Sequence, residues 1–146
     1  MTSGDLKLRR AERTDAEAVF ALTRGFSVSF KPERASFDVS FPHLLNDENA
    51  FLIVASTDDR VCGYLLGFVH VTLFANGRVA WVEEVMIDPG FRRRGMGRAL
   101  LDEFEGWANS RNARFVALAT RRAPEFYRAA RYQESAIYYR KLLKSD

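Results

Sequence analysis

The stretch richest in chemistry is Val85-Met86-Ile87-Asp88-Pro89-Gly90-Phe91-Arg92-Arg93-Arg94-Gly95-Met96-Gly97-Arg98-Ala99-Leu100-Leu101, which runs from a β-rich segment through a glycine turn into an amphipathic one. A helix start leaves several backbone N–H groups unpaired and carries the positive end of the macrodipole, so it can hold a phosphate. Gly95 and Gly97 let the backbone come close, and Arg92, Arg93, Arg94 and Arg98 add positive charge. The turn suits a pyrophosphate. Two phosphate-binding loops do not fit it. Gly90 and Gly95 have the spacing of a P-loop, but Met96-Gly97 stands where a lysine and a hydroxyl residue are required. A dinucleotide fingerprint fails because Leu100 replaces its third glycine, and no acidic residue ends the next strand at Ala119-Thr120.

Such a turn needs a strand to deliver it and a helix to follow. Residues 79–87 form an apolar, β-rich run, and residues 97–109 place Leu100, Leu101, Phe104, Trp107 and Ala108 on one helical face. Upstream, residues 51–56 and 61–74 are β-rich runs separated by Thr57-Asp58-Asp59-Arg60, a hairpin turn, and Asn76-Gly77 separates the second run from the third. These three runs predict an antiparallel meander. Leu6-Lys7-Leu8-Arg9 alternates like a short strand, and Thr14-Asp15-Ala16-Glu17 offers a capping box for a helix ending near Gly25. Another helix is expected around residues 33–46. The continuous apolar run 115–119 reads as a strand covered on both faces, paired parallel with the strand ending at Ile87 because a helix intervenes. Residues 123–130 read as a short helix and 136–143 as a closing strand.

With 146 residues, 47% hydrophobic and 28% charged, the chain has the composition of one globular domain rather than of a disordered or collagen-like protein. No repeat or low-complexity linker divides it, so residues 1–146 are expected to form a single domain. Its net charge of +3 conceals an asymmetry. Residues 1–87 carry 9 Lys/Arg against 12 Asp/Glu, whereas residues 88–146 carry 13 against 7. The basic half suggests an anionic partner. A lone cysteine, Cys62, and the isolated His43 and His70 offer no metal-ligand spacing, so no metal is expected. His43 is expected on a loop and Cys62 in the core. The early acidic residues Asp5, Glu12, Asp15 and Glu17 interrupt any signal-peptide core, and the 61–74 run is too short for a bilayer, so a cytoplasmic location and no membrane partner are expected.

The segment Arg92-Arg93-Arg94-Gly95-Met96-Gly97 also matches a Gln/Arg-x-x-Gly-x-Gly/Ala pattern, and here the chain resembles the GNAT family of acyl-CoA-dependent N-acetyltransferases. Glu83-Glu84-Val85-Met86-Ile87-Asp88-Pro89 looks like the family's fourth strand. Thr120-Arg121-Arg122-Ala123-Pro124-Glu125-Phe126-Tyr127 looks like a later segment that usually reads Asn-x-x-Ala-x-x-Phe-Tyr. The resemblance implies an α/β (α+β) fold: a mixed, mostly antiparallel sheet of six to seven strands, helices on both faces, and a central parallel pair splayed at the cofactor site. It also implies acetyl-CoA as acyl donor and an N-acetyltransferase that acts on a primary amine of a small molecule or peptide by direct attack on the thioester. An acyl-CoA-binding sensor or interaction module on the same fold is the alternative.

Carried over by resemblance, the pyrophosphate site comprises Arg92, Arg93, Arg94, Gly95, Met96, Gly97, Arg98 and Ala99. Val85, Met86 and Ile87 would hold the pantetheine arm, with one backbone N–H polarising the thioester carbonyl, and Thr120 and Phe126 would also touch the cofactor. A lysine-like amine, pKa about 10.4, must lose a proton before it attacks. Glu83 and Glu84, on opposite faces of a strand, are the candidate bases, with Glu83 preferred and reached through a water. Tyr127 would protonate the departing thiolate. Thr120 replaces the usual Asn, and Arg131 stands where a left-handed C-cap glycine is usual. For the acceptor, Phe26, Phe30 and Phe37, with Phe41, Tyr138 and Tyr139, could line an apolar pocket. No nucleic-acid partner is expected, because the arginines cluster at one turn without interleaved aromatics. Relatives often pair through their C-terminal strands, so a homodimer is possible.

Overall fold

The apolar runs in the middle of the chain become the antiparallel meander. The computed structural model describes residues 5–25, 30–121 and 123–144. Strands β1 (Lys7–Arg10), β2 (Ala50–Thr57), β3 (Arg60–Thr72), β4 (Gly77–Ile87) and β5 (Val116–Leu118) lie side by side in chain order. β1 to β4 pair antiparallel, and β5 joins β4 parallel. Asp58 (φ 51°) and Asp59 (φ 61°) turn β2 into β3 with two left-handed residues, the twist a tight hairpin favours. Thr72 pairs with Gly77, so the β3–β4 turn spans residues 73–76, with Asn76 left-handed at φ 61°.

Helices α1 (Ala16–Thr23) and α2 (Arg34–Leu45) cover one face of the sheet, and α3 (Met96–Ser110) and α4 (Pro124–Ala129) the other. On the α1 face Val19, Leu22 and Phe41 pack against Leu52, Val54, Tyr64 and Leu66. On the α3 face Leu100, Leu101, Phe104 and Ala108 pack against Ile53, Leu65 and Val82. Each of these large aliphatic or aromatic side chains contributes about 1.5–3 kcal/mol by leaving water. The Phe104 ring lies where a Cβ at Gly67 would be, so that glycine is what lets α3 settle onto β3.

Four expectations change. The capping box lies earlier than Thr14–Glu17: Glu12 and Asp15 cap a 3₁₀ turn, Arg13–Asp15, ahead of α1. Asp15 is drawn there because Arg9 on β1 grips it with two bonds of 2.7 and 2.8 Å. His43 sits in the last turn of α2 rather than on a loop. Val116–Leu118 is half-buried and shorter than the 115–119 run, so it is not a strand covered on both faces. Residues 136–143 form no strand, which leaves five strands among the described residues and places the parallel pair at the sheet's edge. Every residue from 136 to 143 is exposed, so no buried face holds this segment as a strand.

Candidate active site

Two features of β4 create a gap in the sheet. The β3–β4 register passes from Leu66↔Glu84 to Gly67↔Val82, so Glu83 is the extra residue of a β-bulge. Pairing with β5 stops at Val82↔Leu118. Beyond that point, among the described residues, Glu83 to Ile87 have β3 on one side and no ladder partner on the other. The parallel pair is therefore parted where Val85, Met86 and Ile87 begin. Val85 and Ile87 lean on the α3-side core and Met86 on the α1-side core. The carbonyl of Ile87 accepts from Arg92 Nε at 3.3 Å.

The turn that follows is held from behind. Asp88 Oδ1 accepts from the Gly90 N–H at 2.9 Å, and its Oδ2 pairs with Arg60 at 3.2 Å. Arg93 (φ 64°) and Gly95 (φ 80°) are left-handed, so the chain bends sharply just before α3 begins. No side chain caps α3 at Gly95, and a Cβ built there meets nothing within 4 Å. The first N–H groups of the helix thus lack an intrahelical acceptor, and Gly95 beside them is exposed. Arg92, Arg93, Arg94 and Arg98 are exposed around them, while Met96 is buried beneath as an anchor. Arg94 lies 5.2 Å from the Phe91 ring centroid, and Arg98 is partly neutralised by Asp102 at 3.1 Å. Phe126 of α4 reaches the first turn of α3, 3.5 Å from where a Gly97 Cβ would be. Ala99 starts the helical ladder by donating to Gly95 O.

The two carboxylates have unlike surroundings. Glu83 is exposed, whereas Glu84 is half-buried and accepts from the hydroxyl of buried Tyr64 at 2.7 Å. Thr23 Oγ1, at the end of α1, lies 3.1 Å from Tyr64 Oη and 2.8 Å from the Val19 carbonyl oxygen. Burial raises the Glu84 carboxyl above the usual range, the Tyr64 hydrogen bond opposes the rise, and the charge of Glu83 adds to it. Tyr127 is half-buried with its hydroxyl pushed up by burial, and its ring meets Phe126 and Tyr132 edge-on.

Thr120 is exposed and its Oγ1 accepts from the Ala123 N–H at 3.2 Å, just before α4. Phe37 stacks on Phe41 at 5.0 Å and meets Phe20 edge-on, within the α1–α2 packing, and Phe30 is exposed. Tyr138 and Tyr139 are exposed on the chain after α4, and Phe26 lies outside the described residues. A cavity of about 590 Å³ opens instead between α1 and the ends of β3 and β4, lined among others by Ala18, Leu22, Val61, Met86 and Asp88. Tyr64 and Thr23 were not singled out from sequence. The available signal was a tyrosine in the most apolar run, since a buried tyrosine hydroxyl must find a partner.

Residues 16–133 match the acetyltransferase (GNAT) family. A curated relative, an uncharacterized N-acetyltransferase of Methanocaldococcus jannaschii, is 28% identical over 131 residues, covering 83% of this chain. The chain spans 56% of that relative's length. Among solved structures, a transcriptional regulator from Bacillus halodurans C-125 superposes with a TM-score of 0.86 at 23% identity, over 95% of this chain and 100% of that one. Glucosamine-6-phosphate N-acetyltransferase from Arabidopsis thaliana gives 0.84 at 17% identity, over 96% and 99% of the respective chains. The parted parallel strands and the uncapped glycine turn define a mixed α/β protein whose sheet opens beside a helix start. The chain belongs to the GNAT acetyltransferase family.

Proposed function

We propose that this protein transfers an acetyl group from acetyl-CoA to a primary amine of a small molecule or peptide by direct attack of the amine on the thioester. The observation that carries the proposal is positional: an arginine-flanked, uncapped helix start lies directly beyond the place where β4 leaves β5. A pyrophosphate fits the amides from Arg93 to Ala99, with Arg92, Arg94 and Arg98 supplying charge. Thr120 and Phe126, next to that turn in the fold or in the family pattern, complete the cofactor contacts. The donor supplies an activated thioester. Backbone groups of Val85, Met86 and Ile87 left without a β5 partner would hold its arm, and a fixed N–H at the thioester carbonyl is worth roughly 3–4 kcal/mol. Glu83 and Glu84 stand at the opening of the gap as proton acceptors, and Tyr127 serves as the donor to the leaving sulfur. The amine enters from the side of α1.

Release of free thiol from acetyl-CoA over a panel of primary amines tests the reaction. Turnover on at least one amine is the expected result, and tight coenzyme A binding without turnover on any acceptor would defeat it. Gly95→Val places a branched side chain at a left-handed position that opens onto the proposed phosphate site. Coenzyme A affinity should fall by about tenfold or more, since each 1.4 kcal/mol lost is a factor of ten. Retained affinity in a folded variant would move the phosphate site elsewhere.

Self-association belongs to the same proposal. The outer edge of β5 has no neighbour among the described residues, and Ile137, Tyr139 and Leu143 on the chain after α4 are 78%, 84% and 88% exposed. A second copy of the chain supplies both the missing strand and the missing cover.

A further inference from the structure

Four oxygen atoms stand in a row beneath β4. Glu84 Oε1 is 2.7 Å from Tyr64 Oη, which is 3.1 Å from Thr23 Oγ1, which is 2.8 Å from the carbonyl oxygen of Val19. The last of these can only accept. Three contacts need three protons, and Tyr64 and Thr23 bring one each. With Glu84 ionised, Tyr64 donates to the carboxylate and Thr23 donates either to Tyr64 or to Val19, so one contact stays unfilled. A proton on Glu84 supplies the third. The row then runs in one direction, from Glu84 to Tyr64 to Thr23 to the Val19 carbonyl, with every contact a hydrogen bond.

We propose that Tyr64 and Thr23 are positioning residues that make Glu84, rather than Glu83, the group that takes the proton of the attacking amine. The inference rests on the acetyl-transfer reading for the identity of the proton's source, but not for the behaviour of the row itself. Per turnover an ammonium acceptor loses two protons as its nitrogen bonds to the acetyl carbon and the carbon–sulfur bond breaks. One proton ends on the sulfur and the other on Glu84, which returns it to water. Tyr64 and Thr23 keep their own protons and only rotate. The titratable groups acting on Glu84 are Tyr64 from β3 and Glu83 from its own strand, and α1 contributes the neutral Thr23 hydroxyl. Met86, two residues further along β4 and on the same face as Glu84, lines the cavity beside α1.

The scheme makes two substitutions act in opposite directions. Tyr64→Phe costs the protonated row two neutral bonds, but it strips the buried carboxylate of a charge-assisted donor, the larger loss, and so raises the pKa of Glu84. Thr23→Val removes two bonds from the protonated row and one from the ionised row, and so lowers it. Thr23→Ser keeps the hydroxyl and should restore the wild-type value. ¹³C NMR titration of the free protein with labelled glutamate carboxyls, assigned with Glu84→Gln, reads the group directly. Opposite shifts of about half a pH unit or more are expected. The acid limb of kcat/KM, measured with whichever amine the panel selects, should move in the same two directions. Titrations of Tyr64→Phe and Thr23→Val that coincide with wild type would overturn the relay even if thiol release persists. No thiol release on any amine, with the opposite shifts present, would defeat the acetyl-transfer reading and leave the relay standing. If Tyr64→Phe does not fold, the Thr23→Val and Thr23→Ser pair on α1 decides alone.

Discussion

Glu84 is bonded to a buried tyrosine while Glu83, one residue earlier, projects from a bulge into the open. Sequence adjacency on a strand separates two side chains by face, but it does not say which face holds a hydroxyl. The Tyr64 contact spans 20 positions and follows from the β3–β4 register. The same limit applies to Tyr127, whose type and place in the motif were legible but whose half-buried aromatic setting was not. Replacing Tyr127 by Phe should lower kcat by about tenfold or more with little change in acetyl-CoA affinity, because only a proton donor is removed. Unchanged turnover would take Tyr127 out of the chemistry. Asp15 gives a prediction of stability rather than of rate. Its paired hydrogen bonds from Arg9 hold the carboxyl below the usual range, against an opposing contribution from burial, with the Glu12 N–H adding a further bond. A depressed folded-state pKa means that the stabilisation is complete above the unfolded carboxylate value of about 3.9 and is lost as pH falls through the folded value. Chemical denaturation below about pH 4 should show wild type losing stability with acid more steeply than Asp15→Asn, and parallel curves would remove the pair from the acid response.

At the scale of the element, the end of α4 shows how a departure from the family pattern is absorbed. Arg131 adopts φ 71°, the left-handed conformation for which glycine is usual, and the helix still closes with Tyr132 N–H donating to Tyr127 O and Arg131 N–H to Arg128 O. Tyr132 then ties α4 to α3 through Glu105 at 2.7 Å. The cost of a side chain at this conformation is about 1–2 kcal/mol, so Arg131→Gly should raise the unfolding free energy by roughly 1 kcal/mol in urea titration. No gain, or a loss, would show that the arginine side chain contributes more than the strain removes. The helices and meander strands were readable because apolar periodicity and turn chemistry are local. The Glu12–Asp15 cap was misplaced because Arg9, on a neighbouring strand, competes for Asp15. The bulge at Glu83 was not readable either, since it is a mismatch between two strands and neither strand carries it alone.

Across the whole molecule, charge and apolar surface are both unevenly spread. The basic half of the sequence places Arg92, Arg93, Arg94 and Arg98 around the start of α3. The apolar excess lies after α4, where Ile137, Tyr139 and Leu143 are exposed, and the outer edge of β5 has no neighbour among the described residues. Light scattering should report twice the 16.7 kDa chain mass, and Tyr139→Glu combined with Leu143→Glu should return it to one chain. A monomer at every concentration tested would remove the second copy. The sequence by itself determined the meander strands, the helices and the glycine turn, because each depends on residues within a few positions of one another, and the parallel return, because a helix intervenes. Only the tertiary structure decided that β4 parts from β5 after Val82, that Glu84 shares a row of hydroxyls with Tyr64 and Thr23, and that residues 136–143 form no strand. Those outcomes depend on strand register and on which edges find partners, and both are settled by contacts between residues far apart in the chain.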